Sequence, residues 1–475
     1  MPPRRVIGTL AVAIAVLALA VGIAAARPGP RHRHPARLDP SFGTNGRVIG
    51  TTFTKGYLYS ALAAASPGDS IVAMLGETIS RFLPSGQLDP SFGQGGSVEL
   101  PNLEAKGELL FPAGIAVDAE GRVLVAATRW SGEHATLPGL PYFLENRELA
   151  TVIRYLPDGQ LDPSFGQGGI ASTDFGLPPA YKASAPSERL PWPTPRVTGL
   201  AVDPQGRIVV AGVYATGVHQ GCKPGPRATA GAFVGRLTAS GLPDPTFAGG
   251  GAATLSNLDY GFATVATGPR EQIVLGTQHP DVFLCFPPSE GKGRSLGSIV
   301  RIGPAGGIDG RFSGNGVLNT DGSVRQLALT GSGRILALIS LGDYSYPRSG
   351  EAEVLRLQPS GAFDRRFGQR GRVRLYGAID ALAPGGHGRV LLAGATGIRE
   401  APADFLLIRL TRSGAFDSSV GVNGQVVAGF GNEQASANDL VLDERGRPIL
   451  VGTIKEPSTA ITFPTLALTR LLLPR

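Results

Sequence analysis

Leu38-Asp39-Pro40-Ser41-Phe42-Gly43-Thr44-Asn45-Gly46 decides how this chain is read, because it comes back six more times. Two close copies are Leu88-Asp89-Pro90-Ser91-Phe92-Gly93-Gln94-Gly95-Gly96 and Leu161-Asp162-Pro163-Ser164-Phe165-Gly166-Gln167-Gly168-Gly169. Looser copies surround Asp244, Asp309, Asp364 and Asp417. The motif aspartates lie from 50 residues (Asp39 to Asp89) to 82 residues (Asp162 to Asp244) apart. Such self-similarity marks a repeat architecture, in which one supersecondary unit stacks on the next.

Residues 196–251 display one unit. Val197-Thr198-Gly199-Leu200-Ala201-Val202 is a short apolar run, and Asp203-Pro204-Gln205-Gly206 supplies a turn. Arg207-Ile208-Val209-Val210-Ala211-Gly212 has the β-branched character of a strand. After an insertion, Ala232-Phe233-Val234-Gly235-Arg236-Leu237 is the next strand. The chain then turns into the Asp244 motif, and Ala252-Ala253-Thr254 opens the following unit. The Asp203 turn recurs at Asp118, Gly331, Gly386 and Asp443, with weaker copies at Pro67 and Pro269. Seven units of four short antiparallel strands predict an all-β fold, a seven-bladed β-propeller over residues 38–475. Closing the ring removes the exposed sheet ends. An open β-solenoid is the weaker alternative, because its coils keep a shorter and more constant period.

The pattern Arg-Leu-x-x-x-Gly-x-Leu-Asp-x-x-Phe-Gly-x-x-Gly, with Gly-Arg-Ile-x-x-Ala-Gly in the preceding strand, resembles the delta-60 repeat of bacterial exported proteins. The resemblance spans residues 38–475; Val420 replaces the Phe in one copy, and Ala248 and Ser313 replace the Gly after it in two others. It implies a propeller-like repeat fold and carries no shared reaction or ligand.

Composition agrees with many short strands joined by tight turns: of 475 residues, 68 are Gly and 39 Pro, and only 17% are charged. The net charge of +7 is no sign of nucleic-acid binding. Residues 1–37 hold six arginines and no acid, which leaves +1 on residues 38–475. Arg4 and Arg5 precede an uncharged run of 21 residues, Val6 to Ala26, that ends in three alanines. Residues 1–26 therefore read as a signal peptide or a signal anchor, since this length also spans a bilayer. Residues 27–37, with His32 and His34, form a basic, proline-containing tether. Either reading places the body outside the cytoplasmic membrane, with membrane contact only through an N-terminal anchor.

The short, uniform links fall on one face of such a propeller, and the long irregular ones on the other. The latter include Arg129–Arg147, Pro178–Pro195, Gly217–Gly231 and Gln278–Gly297. This variable face is the expected binding surface. Its most chemically mixed loop offers Trp130, Glu133, His134, Tyr142 and Glu145 as candidate binding residues. Two cysteines, Cys222 and Cys285, lie in neighbouring insertions. In an exported protein they predict a disulfide, with zinc shared with His219 and His279 as the lesser alternative. The motif aspartates make poor calcium ligands, one carboxylate per copy. No phosphate loop, nucleophile elbow or dinucleotide fingerprint is present. No cofactor, metal or nucleic-acid partner is expected, and no catalytic residue is named.

Arg81, Arg154, Arg236, Arg301, Arg356 and Arg409 each precede a motif aspartate by eight residues: Asp89, Asp162, Asp244, Asp309, Asp364 and Asp417. Arg470 and Asp39 are left over at the two ends. In a ring those two meet, so the set reads as a structural brace carried on each unit's fourth strand. The functional expectation is a monomeric binding scaffold for an extracellular or cell-envelope protein or glycan. A propeller hydrolase or lyase acting on envelope polysaccharide is the alternative from another class, and a purely structural surface protein is a third. Mass spectrometry of the protein from its native host is expected to find a mature chain beginning near Arg27 in the extracytoplasmic fraction. Full-length soluble protein in the cytoplasm would refute the export reading.

Overall fold

The computed structural model describes residues 36–52, 61–103, 107–137, 140–177, 195–216, 219–220, 223–224, 229–256, 263–278, 297–341, 350–397, 403–431, 434–455 and 463–474, the side chains of 131–147 and 215–230 excepted. The signal or anchor segment and most of the tether lie outside these residues.

The described residues form a seven-bladed β-propeller of four-stranded antiparallel blades, with a two-residue fifth strand, Arg37–Leu38, added beside Thr465–Leu472 and a separate two-stranded ribbon, His219–Gln220 with Lys223–Pro224. Blade 1 begins with Leu62–Ser66, blade 2 with Glu108–Val117 and blade 3 with Arg196–Val202. Blade 4 begins with Ala263–Gly268, blade 5 with Ser323–Leu329, blade 6 with Ala378–Pro384 and blade 7 with Gln434–Leu442. Burial does not make one core but seven, each shared by two neighbouring blades. Ile71 and Ala73 of blade 1 pack on Val451 and Leu468 of blade 7, for example, so the last interface is as apolar as the others.

The unit boundary differs from the sequence reading by one strand. Ala252–Ser256 does not open a new sheet; it pairs with Thr229–Leu237 and is the fourth strand of blade 3. The motif is the cause. In each copy the Asp N–H returns to the Arg carbonyl, as from Asp89 to Arg81 at 2.9 Å, and the Arg N–H meets the motif's last Gly carbonyl, Gly96, at 2.9 Å. So short a reversal lays the next strand beside the one just left, as in a hairpin. The Arg therefore sits on the third strand of each blade, not the fourth. By the same shift, Arg47–Thr52 belongs to blade 7, where it pairs with Thr465–Leu472. An N-terminal strand thus completes the C-terminal blade. Gly46 sits in the motif's sharp bend at φ +87°, where an added Cβ would lie 2.5 Å from Leu38 Cβ.

Asp39 and Arg470 close the set of pairs: Arg470 Nε donates to Asp39 Oδ2 at 2.8 Å, and both side chains are buried. Asp39 Oδ1 accepts the N–H and hydroxyl of Ser41 at 3.0 and 2.7 Å. Burial works against the charge on this carboxylate, but the Ser41 bonds and then Arg470 outweigh it and hold it below the ordinary carboxyl range. The Arg470 guanidinium lies over the Phe42 ring, 4.7 Å from its centre. Its remaining arm donates to the Pro84 carbonyl of blade 1 at 2.6 Å. The other braces make the same reach into the next blade: Arg154 to Ala239 at 2.5 Å, Arg236 to Pro304 at 2.9 Å and Arg409 to Pro474 at 2.7 Å. Arg81 and Arg301 donate in the same way to Pro157 and Pro359. The Arg–Asp pair is thus half of a strap between blades.

Breaking a buried pair from one side leaves a charge without its partner and costs about 3 kcal/mol or more. Asp39→Ala and Asp162→Ala are therefore expected to lower the melting temperature by similar amounts, although one lies at the chain's start and the other inside it. Unchanged melting for Asp39→Ala beside early melting for Asp162→Ala would count against a ring whose seventh strap bears load.

Candidate functional site

Two faces follow from the topology. The turns between first and second strands and the Asp motifs share one face. The links between second and third strands, and those joining blades, share the other. On that second face the Trp130–Glu145 stretch is not an irregular loop. Val123–Leu137 and Leu140–Tyr155 stay paired out to Leu137 opposite Leu140, a β-hairpin projecting from blade 2. Continued pairing satisfies backbone groups that a loop would leave to water. His134 pairs with Phe143 and Ala135 with Tyr142, while the register shifts between Gly132 and His134. Leu144 and Glu145 there stand against the single residue Glu133, so the bulge is in the second strand and Glu145 belongs to it. The side chains of Glu133, His134, Tyr142 and Glu145 lie outside the description. Trp130 is inside the protein at 2% exposure, so it anchors the base of the hairpin and offers no ring to a ligand. Cys222 and Cys285, and with them the disulfide and zinc readings, fall outside the described residues.

Opposite Trp130 stands Glu148, which sequence reasoning missed. It is buried, its Oε2 has no hydrogen-bond partner, and burial pushes its carboxyl well above the ordinary range despite the nearby charge of Arg196. A signal was present: Glu148 alternates in phase with Ala150 and Val152, which are core residues.

The innermost strands surround an axial channel of about 530 Å³ lined from all seven blades. Its lining falls in the early and middle parts of those strands, which run away from the variable face, so this part of the channel lies toward that face. In five blades the innermost strand carries a bulge, and the extra residues are Ala113, Thr198, Arg325, Asp380 and Asn438. All five line the channel. A bulge re-aims one side chain without shifting the blade's core. Here the re-aimed set includes an acid and a base: Asp380 Oδ1 lies 3.9 Å from Arg325 Nη1.

The innermost strand is also a sheet edge, with backbone groups that need partners. Neighbouring blades supply them. Asp439 Oδ2 accepts the Ala63 N–H at 2.9 Å and Oδ1 accepts the Leu440 N–H at 2.8 Å. Gln326 Oε1 accepts the Leu382 N–H at 2.5 Å, and Thr198 Oγ1 accepts the Ala263 N–H at 3.0 Å. Asp439 lines the channel, half-buried and surrounded by protein. That desolvation pushes its carboxyl up, and the two N–H groups offset it only in part. Among the described residues, no three or more His, Cys, Asp or Glu side chains gather as a metal site.

A profile described as a domain of unknown function (DUF5122) β-propeller matches residues 150–165, the span of the Arg154–Asp162 brace and Phe165. No curated protein matches the chain. Among solved structures, a protein of unknown function from Bacteroides caccae is 10% identical, with 68% of this chain and 88% of that one covered and a TM-score of 0.31. A luciferin-regenerating enzyme is 9% identical, covering 76% and 92%, with a TM-score of 0.33. A xylan β-1,4-xylosidase from Bacillus halodurans is 11% identical, covering 77% and 53%, with a TM-score of 0.30.

Removing the Asp439 side chain strands the Ala63 and Leu440 N–H groups. Asp439→Ala is expected to lower stability by about 1–3 kcal/mol, read as an earlier urea midpoint. An unchanged midpoint would mean that this carboxylate does not staple blade 7 to blade 1.

Proposed function

We propose that this protein is an exported binding scaffold that engages an extracellular or cell-envelope protein or glycan through its variable face. One observation carries the reading: the channel carboxylates are committed to the fold itself. Asp439 holds two backbone N–H groups and Asp380 faces Arg325. Glycoside hydrolysis calls on two carboxyl groups left for the substrate. The extension of Val123–Leu137 and Leu140–Tyr155 beyond Trp130 adds backbone surface to the variable face. The hydrolase or lyase alternative draws on Glu148, whose raised proton affinity suits a general acid, but whose burial keeps substrate away.

The test compares pull-downs from envelope fractions with the intact protein and with a variant whose hairpin is cut back to a tight turn after Trp130. Specific partners are expected with the intact protein and at least one is expected to be lost with the variant. Equal recovery of every partner would remove the hairpin from the binding surface. Release of reducing ends from envelope polysaccharide, abolished by Glu148→Gln, would replace the scaffold reading by the enzymatic one.

A further inference from the structure

One junction of the motif face gathers arginines. Between blades 5 and 6 lies an open groove of about 1270 Å³ lined by Arg334, Arg356, Arg365, Arg366, Arg389 and Arg412 against a single carboxylate, Asp364. This concentration sits on a body, residues 38–475, whose formal net charge is only +1.

The charge arises from four departures from the repeat that fall together. In blades 2, 3 and 7 the first turn begins with a buried Asp that neutralises the turn's Arg: Asp118 with Arg122, Asp203 with Arg207 and Asp443 with Arg447, at 2.5–2.6 Å. In blades 5 and 6 that position is Thr330 and Gly385. Arg334 and Arg389 are left only the brace carboxylates Asp364 and Asp417, at 3.5 and 3.6 Å, which Arg356 and Arg409 already hold at 3.0 and 2.9 Å. The Pro-Ser of the motif becomes Arg365-Arg366, and the position of Pro84 and Pro157 becomes Arg412. Arg365, Arg366 and Arg412 are exposed and form no ion pair with a described residue. The strap itself is rerouted here: Arg356 donates to Gly388 at 3.3 Å instead of to the following blade's second turn.

We propose that this groove is a second binding site, distinct from the variable face, for an anionic glycopolymer whose charge is carboxylate or phosphodiester. Guanidinium groups suit both anions, which they grip through paired N–H donors. Thr330, Ser332, Gln358, Thr411 and Ser413 stand among the arginines and offer hydroxyl and amide groups to sugar hydroxyls. A protein partner is disfavoured because none of the large exposed apolar side chains, such as Leu242, Tyr376 or Val422, lines the groove to serve as an anchor. Single-stranded nucleic acid is disfavoured because Phe363 is already stacked on Arg372 at 4.6 Å, which leaves the His387 imidazole as a lone stacking surface where successive bases need several.

The experiment measures binding of the full chain to polygalacturonate, poly(glycerol phosphate) and a short duplex DNA at low and high salt. The key variant combines Arg365→Pro with Arg366→Ser, which gives the motif the residues of its close copies and so keeps the fold. A second variant, Thr330→Asp, supplies the missing turn carboxylate. At least one glycopolymer is expected to bind in a salt-sensitive way, roughly tenfold or more weakly to the double variant. Thr330→Asp is expected to weaken binding too, and Arg311→Ser, whose side chain is held by Asp309 at 2.9 Å, to leave it unchanged. Preference for polygalacturonate identifies carboxylate as the bound charge, and preference for poly(glycerol phosphate) identifies phosphodiester. Binding of neither polymer, equal affinity of the double variant, or tighter binding of the duplex than of both polymers would overturn the proposal.

Discussion

The guanidinium that reaches from one blade into the next is the contact on which the ring depends. Each blade has a core only by sharing it with two neighbours. A sheet of four short strands buries too little to stand alone. The brace arginine joins three things at one point: its own motif through Asp, a Phe ring through stacking, and the following blade through a carbonyl. Its charge is costly to bury, and the Asp with its Ser bonds offsets that cost locally. What remains is directional, since a planar guanidinium with fixed donors holds the angle between blades better than apolar packing can.

Ring closure relies on the same device and adds a strand. Arg47–Thr52 finishes blade 7, so the two ends of the chain are joined by a β-ladder, an apolar layer and the Asp39–Arg470 pair. A ring closed this way leaves its motif face occupied by structural contacts. Variation is then cheapest on the opposite face, where the blade 2 hairpin extends and the channel bulges aim polar side chains. The bulged residues show how a propeller varies its axis without disturbing its blades, for the extra residue leaves the pairing on either side intact.

The Asp motif made the number of blades legible, because a nine-residue pattern carries its own turn chemistry at every copy. The grouping of strands was less legible. Periodicity alone does not say which side of a motif ends a sheet, and only the short reversal from Arg236 to Ala252 places both strands in one blade. The hairpin was misread as a loop because its mixed polar and aromatic composition hides the pairing of Gly132 with Asn146 and of Thr136 with Pro141. The channel residues were invisible for another reason. Asn438 and Asp439 look like ordinary surface residues until a bulge changes the phase of the strand.

Degraded copies of a repeat can mean drift or a change of role, and the fate of each substituted side chain distinguishes them. Blades 4 and 5 both carry Arg where the motif has Ser, at Arg311 and Arg366. Asp309 accepts from Arg311 at 2.9 Å, and Arg301 is displaced so that its Nη2, not Nε, meets the same carboxylate. The extra charge is absorbed, at the cost of an Arg301 Nε left without a partner. Asp364 is in a different position. Its Oδ2 already serves Arg356 at 3.0 Å and Arg334 at 3.5 Å, because the turn of blade 5 lacks a carboxylate of its own. One carboxylate does not neutralise a third guanidinium, so Arg366 keeps only a backbone bond to Asp364, at 3.2 Å, and its charge faces the groove. The same substitution is thus silent in one blade and electrostatically active in the next, and the deciding residue is Thr330, in a turn 36 positions away in the chain.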